Sequence, residues 1–165
     1  MKGTRMKLIF GGAYQGKLDY AKTLLGEKED IAIYTCPDIR SAASPEECIE
    51  ALDPARAIAK LKPEPVIIDH LERVVYALVD AGLNPVEYVQ KNLEALCRIG
   101  VTSTENEGIN AKSRILIIED ISQGIVPIDT KERAWREANG RVMALLAKEA
   151  TSVTRVFCGI PQQLK

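Results

Sequence analysis

The chain has 165 residues, with 22 Lys and Arg set against 23 Asp and Glu for a net charge of −1. So even a balance excludes a charge-driven hold on nucleic acid or an anionic membrane. A chain of this length buries roughly 70% of its unfolded surface around one core, so a single domain over 1–165 is expected.

Cys36, Cys48, Cys97 and Cys158 are scattered, with no C-x-x-C pair to indicate a zinc site or a redox motif. No apolar run approaches the ~20 residues that cross a bilayer, and the apolar stretch near Met1 is too short for a signal peptide. The cytoplasm is the expected address.

In chain order, Lys7 to Phe10 is a short apolar run ending in glycines. From Gly16 to Leu25, residues Tyr20, Ala21, Leu24 and Leu25 fall at helical spacing until Gly26. Further short β-branched runs occupy Asp30 to Thr35, Pro65 to His70, Arg114 to Asp120 and Thr154 to Ile160. Their apolar residues are nearly continuous, as in strands buried on both faces. Between them the pattern predicts helices over Pro45 to Leu61 with a break at Pro54, Leu71 to Ala81, Pro85 to Arg98, and Thr130 to Ala150. Asn84 ahead of Pro85, and Asp129 or Thr130 ahead of the last helix, read as starts. The polar stretch Thr102 to Ser113 reads as an exposed connecting loop. Strands alternating with helices imply an α/β fold, a mostly parallel sheet with helices on both faces.

The first strand runs into Gly11-Gly12-Ala13-Tyr14-Gln15-Gly16-Lys17-Leu18, a near match to a phosphate-binding loop. Glycines there permit a tight turn whose backbone N–H groups face a phosphate, and the helix behind adds its dipole. Lys17 is positioned to meet the β- and γ-phosphates of a nucleotide. Asp69, at the end of "VIID", is the acid expected to hold Mg²⁺ or its water. Leu18 stands where a Mg²⁺-binding hydroxyl is expected and has no oxygen to offer. The alternative is a plain glycine turn with a surface lysine.

His70, the only histidine, suits a general base or phosphoryl carrier, but a structural role at the strand end stands beside that reading. Glu119 and Asp120 end another strand at the edge where ligands bind, or else cap the next turn.

The C-terminal third resembles the end of the adenosylcobinamide kinase/adenosylcobinamide-phosphate guanylyltransferase family of cobalamin biosynthesis. Gly124-Ile125-Val126-Pro127, Arg133, Arg136, Gly140-Arg141, Ala147, Gly159, Pro161, Leu164 and Lys165 fall in its register. Gly11 to Leu18 is similar to the family's Gly-Gly-Ala-x-Ser-Gly-Lys-Ser loop, and Asp69 falls at its acidic strand end. This resemblance implies a P-loop NTPase-like three-layer fold, ATP or GTP as cosubstrate with Mg²⁺, adenosylcobinamide as acceptor, and a homo-oligomer. It stops across 36–65, where the family carries the histidine that takes the guanylyl group and this chain has none. Leu18, Ala77, Glu119, Ser122 and Val142 also depart from it, at polar positions expected to face ligand.

Two readings follow. One is a shortened kinase binding ATP or GTP at Gly11 to Lys17, with Lys17 and Asp69 as catalytic residues and the guanylyl step lost. The other is an inactive paralogue serving as a nucleotide- or cobamide-binding regulatory subunit.

Overall fold

The computed structural model describes residues 6–26, 30–41, 43–99 and 114–165. Its sheet has the order β2-β3-β4-β1-β5-β6. The strands are β1 (Met6–Gly11), β2 (Ile33–Thr35), β3 (Ile67–Asp69), β4 (Arg114–Glu119), β5 (Ser152–Phe157) and β6 (Ile160–Gln163). The first five are parallel, and β6 returns antiparallel to β5. β1 lies at the centre, in register with β4 from Met6↔Arg114 to Gly11↔Glu119. The phosphate-type loop and the acidic end of β4 therefore emerge side by side from one edge of the sheet.

Period-two alternation sorts the strand residues onto the two faces. Met6, Leu8, Ile68, Leu116 and Ile118 enter the larger core, under α2 (Pro45–Leu52), α3 (Pro54–Lys60), α4 (Leu71–Asp80), α5 (Pro85–Lys91), α6 (Leu93–Cys97) and α7 (Thr130–Glu149). Ile9, Ile67, Ile115 and Ile117 enter the smaller core, which packs under α1 (Lys17–Thr23) through Ala21. Both faces are thus covered as expected, but unequally: among the described residues one face has a single short helix.

The helix starts follow the expected chemistry. The Asn84 side chain accepts from the N–H groups of Val86 and Glu87, and that of Asp129 accepts from Glu132 at 2.8 Å. Ser44 and Glu47 form a reciprocal capping box ahead of Pro45. Asp53 and Pro54 separate α2 from α3 where a break was expected.

Three expectations need correction. The helix over Pro85 to Arg98 is two helices, divided at Asn92, whose side-chain amide donates to the Tyr88 carbonyl at 2.9 Å and competes with the backbone ladder. The strand at Asp30 to Thr35 is paired only over Ile33–Thr35. The run Thr154 to Ile160 is a hairpin rather than one strand. Cys158 (φ 50°) and Gly159 (φ 76°) form its two-residue turn, both left-handed as such a turn requires, and Pro161 sits on the edge strand where its missing N–H is tolerated. The expected loop over Thr102 to Ser113 lies outside the described residues.

Candidate functional site

A cavity of about 640 Å³ opens at the edge where β1, β3 and β4 end. Its walls include the loop from Ala13 to Leu18, the strand-end residues Asp69 and Glu119, and His70 and Glu72 at the start of α4. This volume is in the range of small-molecule sites, and the carboxyl edge of a parallel sheet is where α/β proteins place ligands.

The glycines of the loop divide their tasks. A Cβ at Gly11 would stand 2.3 Å from the Val156 carbonyl oxygen, so this glycine is imposed by the approach of β1 to β5, not by a phosphate. Gly16 (φ 85°) holds the left-handed turn into α1. Tyr14 is left-handed too (φ 55°), uncommon for a bulky residue, with its ring wholly exposed at the tip. Gln15 fastens the loop to the C-terminal hairpin: its side-chain oxygen accepts from the Cys158 N–H at 2.5 Å, and its carbonyl from the Gly159 N–H at 3.0 Å.

Lys17 is only 7% exposed, and its ammonium donates to the Gly12 carbonyl at 2.6 Å. It lies poised within the loop. Leu18 turns its apolar side chain against the smaller core. The loop position that would supply Mg²⁺ with a hydroxyl is thus filled by packing, and the loop itself does not fit that ion.

Asp69, His70 and Glu72 form a tight group. The Asp69 Oδ1 accepts from the His70 N–H at 2.9 Å, and its Oδ2 stands 3.8 Å from His70 Nε2. His70 has left-handed backbone (φ 61°), which turns its ring back so that Nδ1 lies 2.7 Å from Glu72 Oε1. A carboxylate only accepts, so Nδ1 carries the proton, and this bond is the main reason the imidazole is held above its ordinary pKa.

Glu72 is 3% exposed, and its second oxygen accepts from the Glu119 N–H at 2.9 Å. Burial works to raise its pKa, but the bonds from His70 and Glu119 together outweigh burial and hold the carboxyl low. Glu119 is raised instead, first by burial and then by the charge of Glu72.

The sequence-predicted residues do not all converge. Lys17, Leu18, Asp69, His70 and Glu119 share the cavity, together with Ala13, Tyr14, Gln15 and Gly16 of the loop. Asp120 does not line it. Its carboxylate accepts from the Ser122 N–H at 3.0 Å and from the Ser122 and Gln123 side chains, so it caps the turn after β4.

Residues that sequence reasoning missed complete the wall, as Arg40 and Trp135 do, or support it from behind, as Asn139 does. Arg40 makes a two-nitrogen bond to Asp38 (2.8 and 2.6 Å) and lies 4.8 Å over the Trp135 ring. From α7, Trp135 Nε1 donates to the Glu72 carbonyl and Asn139 Nδ2 to the Glu119 carbonyl, each at 2.9 Å. No local motif marks these residues; only the fold carries them to the strand ends.

A strand–loop–helix with a buried lysine, on a mostly parallel sheet and opposite acidic strand ends, defines an α/β protein of the P-loop type. The family of cobinamide kinase / cobinamide phosphate guanyltransferase matches residues 40–164, more than half of the chain, and the protein belongs to that family. The match runs through part of the 36–65 interval in which the motif resemblance stops, whereas the loop from Gly11 to Leu18 lies outside it. No curated protein matches the chain.

Proposed function

We propose that the protein binds ATP or GTP at the Gly11 to Leu18 loop and phosphorylates the aminopropanol hydroxyl of adenosylcobinamide, without the guanylyl step. The observation that carries this reading is the meeting of the buried Lys17 ammonium and the Asp69 carboxylate in one cavity of nucleotide size.

Lys17 exchanges its bond to the Gly12 carbonyl for the β- and γ-phosphates, and its charge offsets what builds up on the transferred group. Asp69 accepts the proton of the acceptor hydroxyl as that oxygen bonds to the γ-phosphorus and the bond to the β-phosphate oxygen breaks, releasing the nucleoside diphosphate. Mg²⁺, when bound to the nucleotide, neutralises phosphate charge, and Asp69 is the residue to face it. A covalent guanylyl intermediate requires a nucleophile free to attack. The one histidine does not fall at the family's histidine position.

One domain carries these parts, and the chain works as a homo-oligomer. Supporting the latter are Ile125 and Ile128, each 95% exposed on a turn held by Arg133 and Arg136 through backbone carbonyls. Among the described residues no helix is long and apolar enough to cross a membrane.

The inactive-paralogue reading has its own support, because Asp69, Glu72 and Glu119 place three carboxylates around the space a triphosphate would enter. Incubating the protein with adenosylcobinamide, Mg²⁺ and each nucleotide separates the two. Phosphorylated product that disappears in Lys17→Ala is expected. Nucleotide binding without product would leave the regulatory reading standing, and neither binding nor product would sink both.

A further inference from the structure

His70, Glu72 and Glu119 each offer one ligand atom, and these atoms lie within 4.8 Å of one another at the cavity wall. One imidazole nitrogen with two carboxylate oxygens is a mixed donor set suited to first-row divalent ions such as Mn²⁺ or Zn²⁺, whereas Mg²⁺ prefers oxygen alone. We propose that His70, Glu72 and Glu119 bind a Mn²⁺- or Zn²⁺-class divalent cation at the mouth of the loop, in place of the ion-binding hydroxyl that Leu18 cannot supply.

The arrangement of partners favours a cation here over a plain ion pair. The Glu119 carboxylate makes no hydrogen bond or ion pair among the described residues, although it is half buried and beside Glu72. His70 pairs with Glu72 at 2.7 Å and with Asp69 at 3.8 Å, which leaves Glu119 without an ion pair among the described residues. A divalent ion supplies both at once, replacing the proton shared between His70 Nδ1 and Glu72 Oε1 and drawing in Glu119.

Metal–ligand bonds of about 2.0–2.2 Å set donor atoms on the order of 3–3.5 Å apart. The 2.7 Å His70–Glu72 contact needs to open slightly and Glu119 to swing inward, which side-chain rotation achieves. The backbone beneath is already fixed. Trp135 holds the Glu72 carbonyl, Asn139 holds the Glu119 carbonyl, and the left-handed turn at His70 points its ring at the pair.

The inference stands apart from nucleotide binding, so the test uses the full chain with no nucleotide. After EDTA treatment and its removal, Mn²⁺ is titrated at pH 7.5 while the spectroscopic signal of free aqueous Mn²⁺ is followed, with thermal melting in parallel. One saturable site per chain is expected, with a raised Tm and tenfold or greater preference over Mg²⁺ in competition. Glu119→Gln keeps shape while removing the charge, and His70→Asn keeps a residue tolerant of left-handed backbone. Each should weaken Mn²⁺ at least tenfold while circular dichroism stays unchanged. Absence of saturable binding, equal competition by Mg²⁺, or full binding in both folded variants would overturn the proposal. If Glu119→Gln alone binds normally, the three-residue site is likewise wrong.

Discussion

The two edges of the sheet treat buried charge in opposite ways. At the edge where β4 begins, Arg114 is fully buried, yet every guanidinium nitrogen is used: Nε donates to the Pro65 carbonyl, Nη1 to those of Ala95 and Leu96, and Nη2 to Glu64 at 2.7 Å. At the other end of the same strand, Glu119 stands beside Glu72 with its own carboxylate unbonded among the described residues, and a lysine is parked on a loop carbonyl. Burying a charge is tolerable when its bonds are complete. The first edge is finished by the fold itself; the second is left for a ligand to finish.

The sharpest way to break this contrast is to remove the satisfied charge. Arg114→Met removes the buried guanidinium that bridges Glu64 and the carbonyls of Pro65, Ala95 and Leu96. A loss of about 3–5 kcal/mol in denaturant unfolding is expected, as for other buried pairs that lose one partner. A loss below about 1 kcal/mol would show that Arg114 is no structural anchor.

Gly11→Ala comes next. Its Cβ would meet the Val156 carbonyl at 2.3 Å, against backbone that cannot swing away, so β1 and β5 must part. About 1–3 kcal/mol of destabilisation is expected. Weakened nucleotide binding should accompany it, because the loop rides on that strand. Normal stability by thermal melting would mean that the strand spacing is not fixed as described.

A smaller effect is expected from acid. Hydrogen bonds from Arg40 hold the Asp38 carboxyl down to about 2 from its usual 3.8. A carboxyl depressed on folding adds stability that is complete above its unfolded pKa and is lost as pH falls through the folded one. Asp38 should therefore contribute about 1 kcal/mol, allowing for solvent screening, which fades between roughly pH 4 and pH 2. Asp38→Asn should flatten that part of the stability profile. An unchanged slope would show that the Arg40 pair does not persist in solution.

Much of the fold was legible because the signals were local. Apolar runs placed the five parallel strands, and Asn84, Asp129 and Pro54 marked where helices begin or break. Where tertiary or side-chain chemistry intervened, the pattern failed. Asn92 divides a helix whose apolar spacing runs on, and the Cys158-Gly159 turn hides a strand reversal in an unbroken β-branched run.

The site was half legible. Glycine spacing exposed the loop, and strand ends exposed Asp69 and Glu119. Glu72 looked like any polar residue in the first turn of a helix, and Asp120 looked equivalent to Glu119, until pairing showed one facing the cavity and the other bonded to its own turn. Arg40 comes from the interval where the motif resemblance stops, and its place beside Trp135 depends on α7 packing far along the chain.

The claim that this edge carries charge for a ligand, not for stability, is tested most directly by unfolding Glu119→Gln in EDTA without nucleotide. Burial and Glu72 raise the Glu119 carboxyl, so its ionised form opposes folding at neutral pH, and a neutral isostere relieves that. The variant should be as stable as the parent or more stable. A loss approaching that of Arg114→Met would contradict the account, since Glu119 would then be an anchor of the fold.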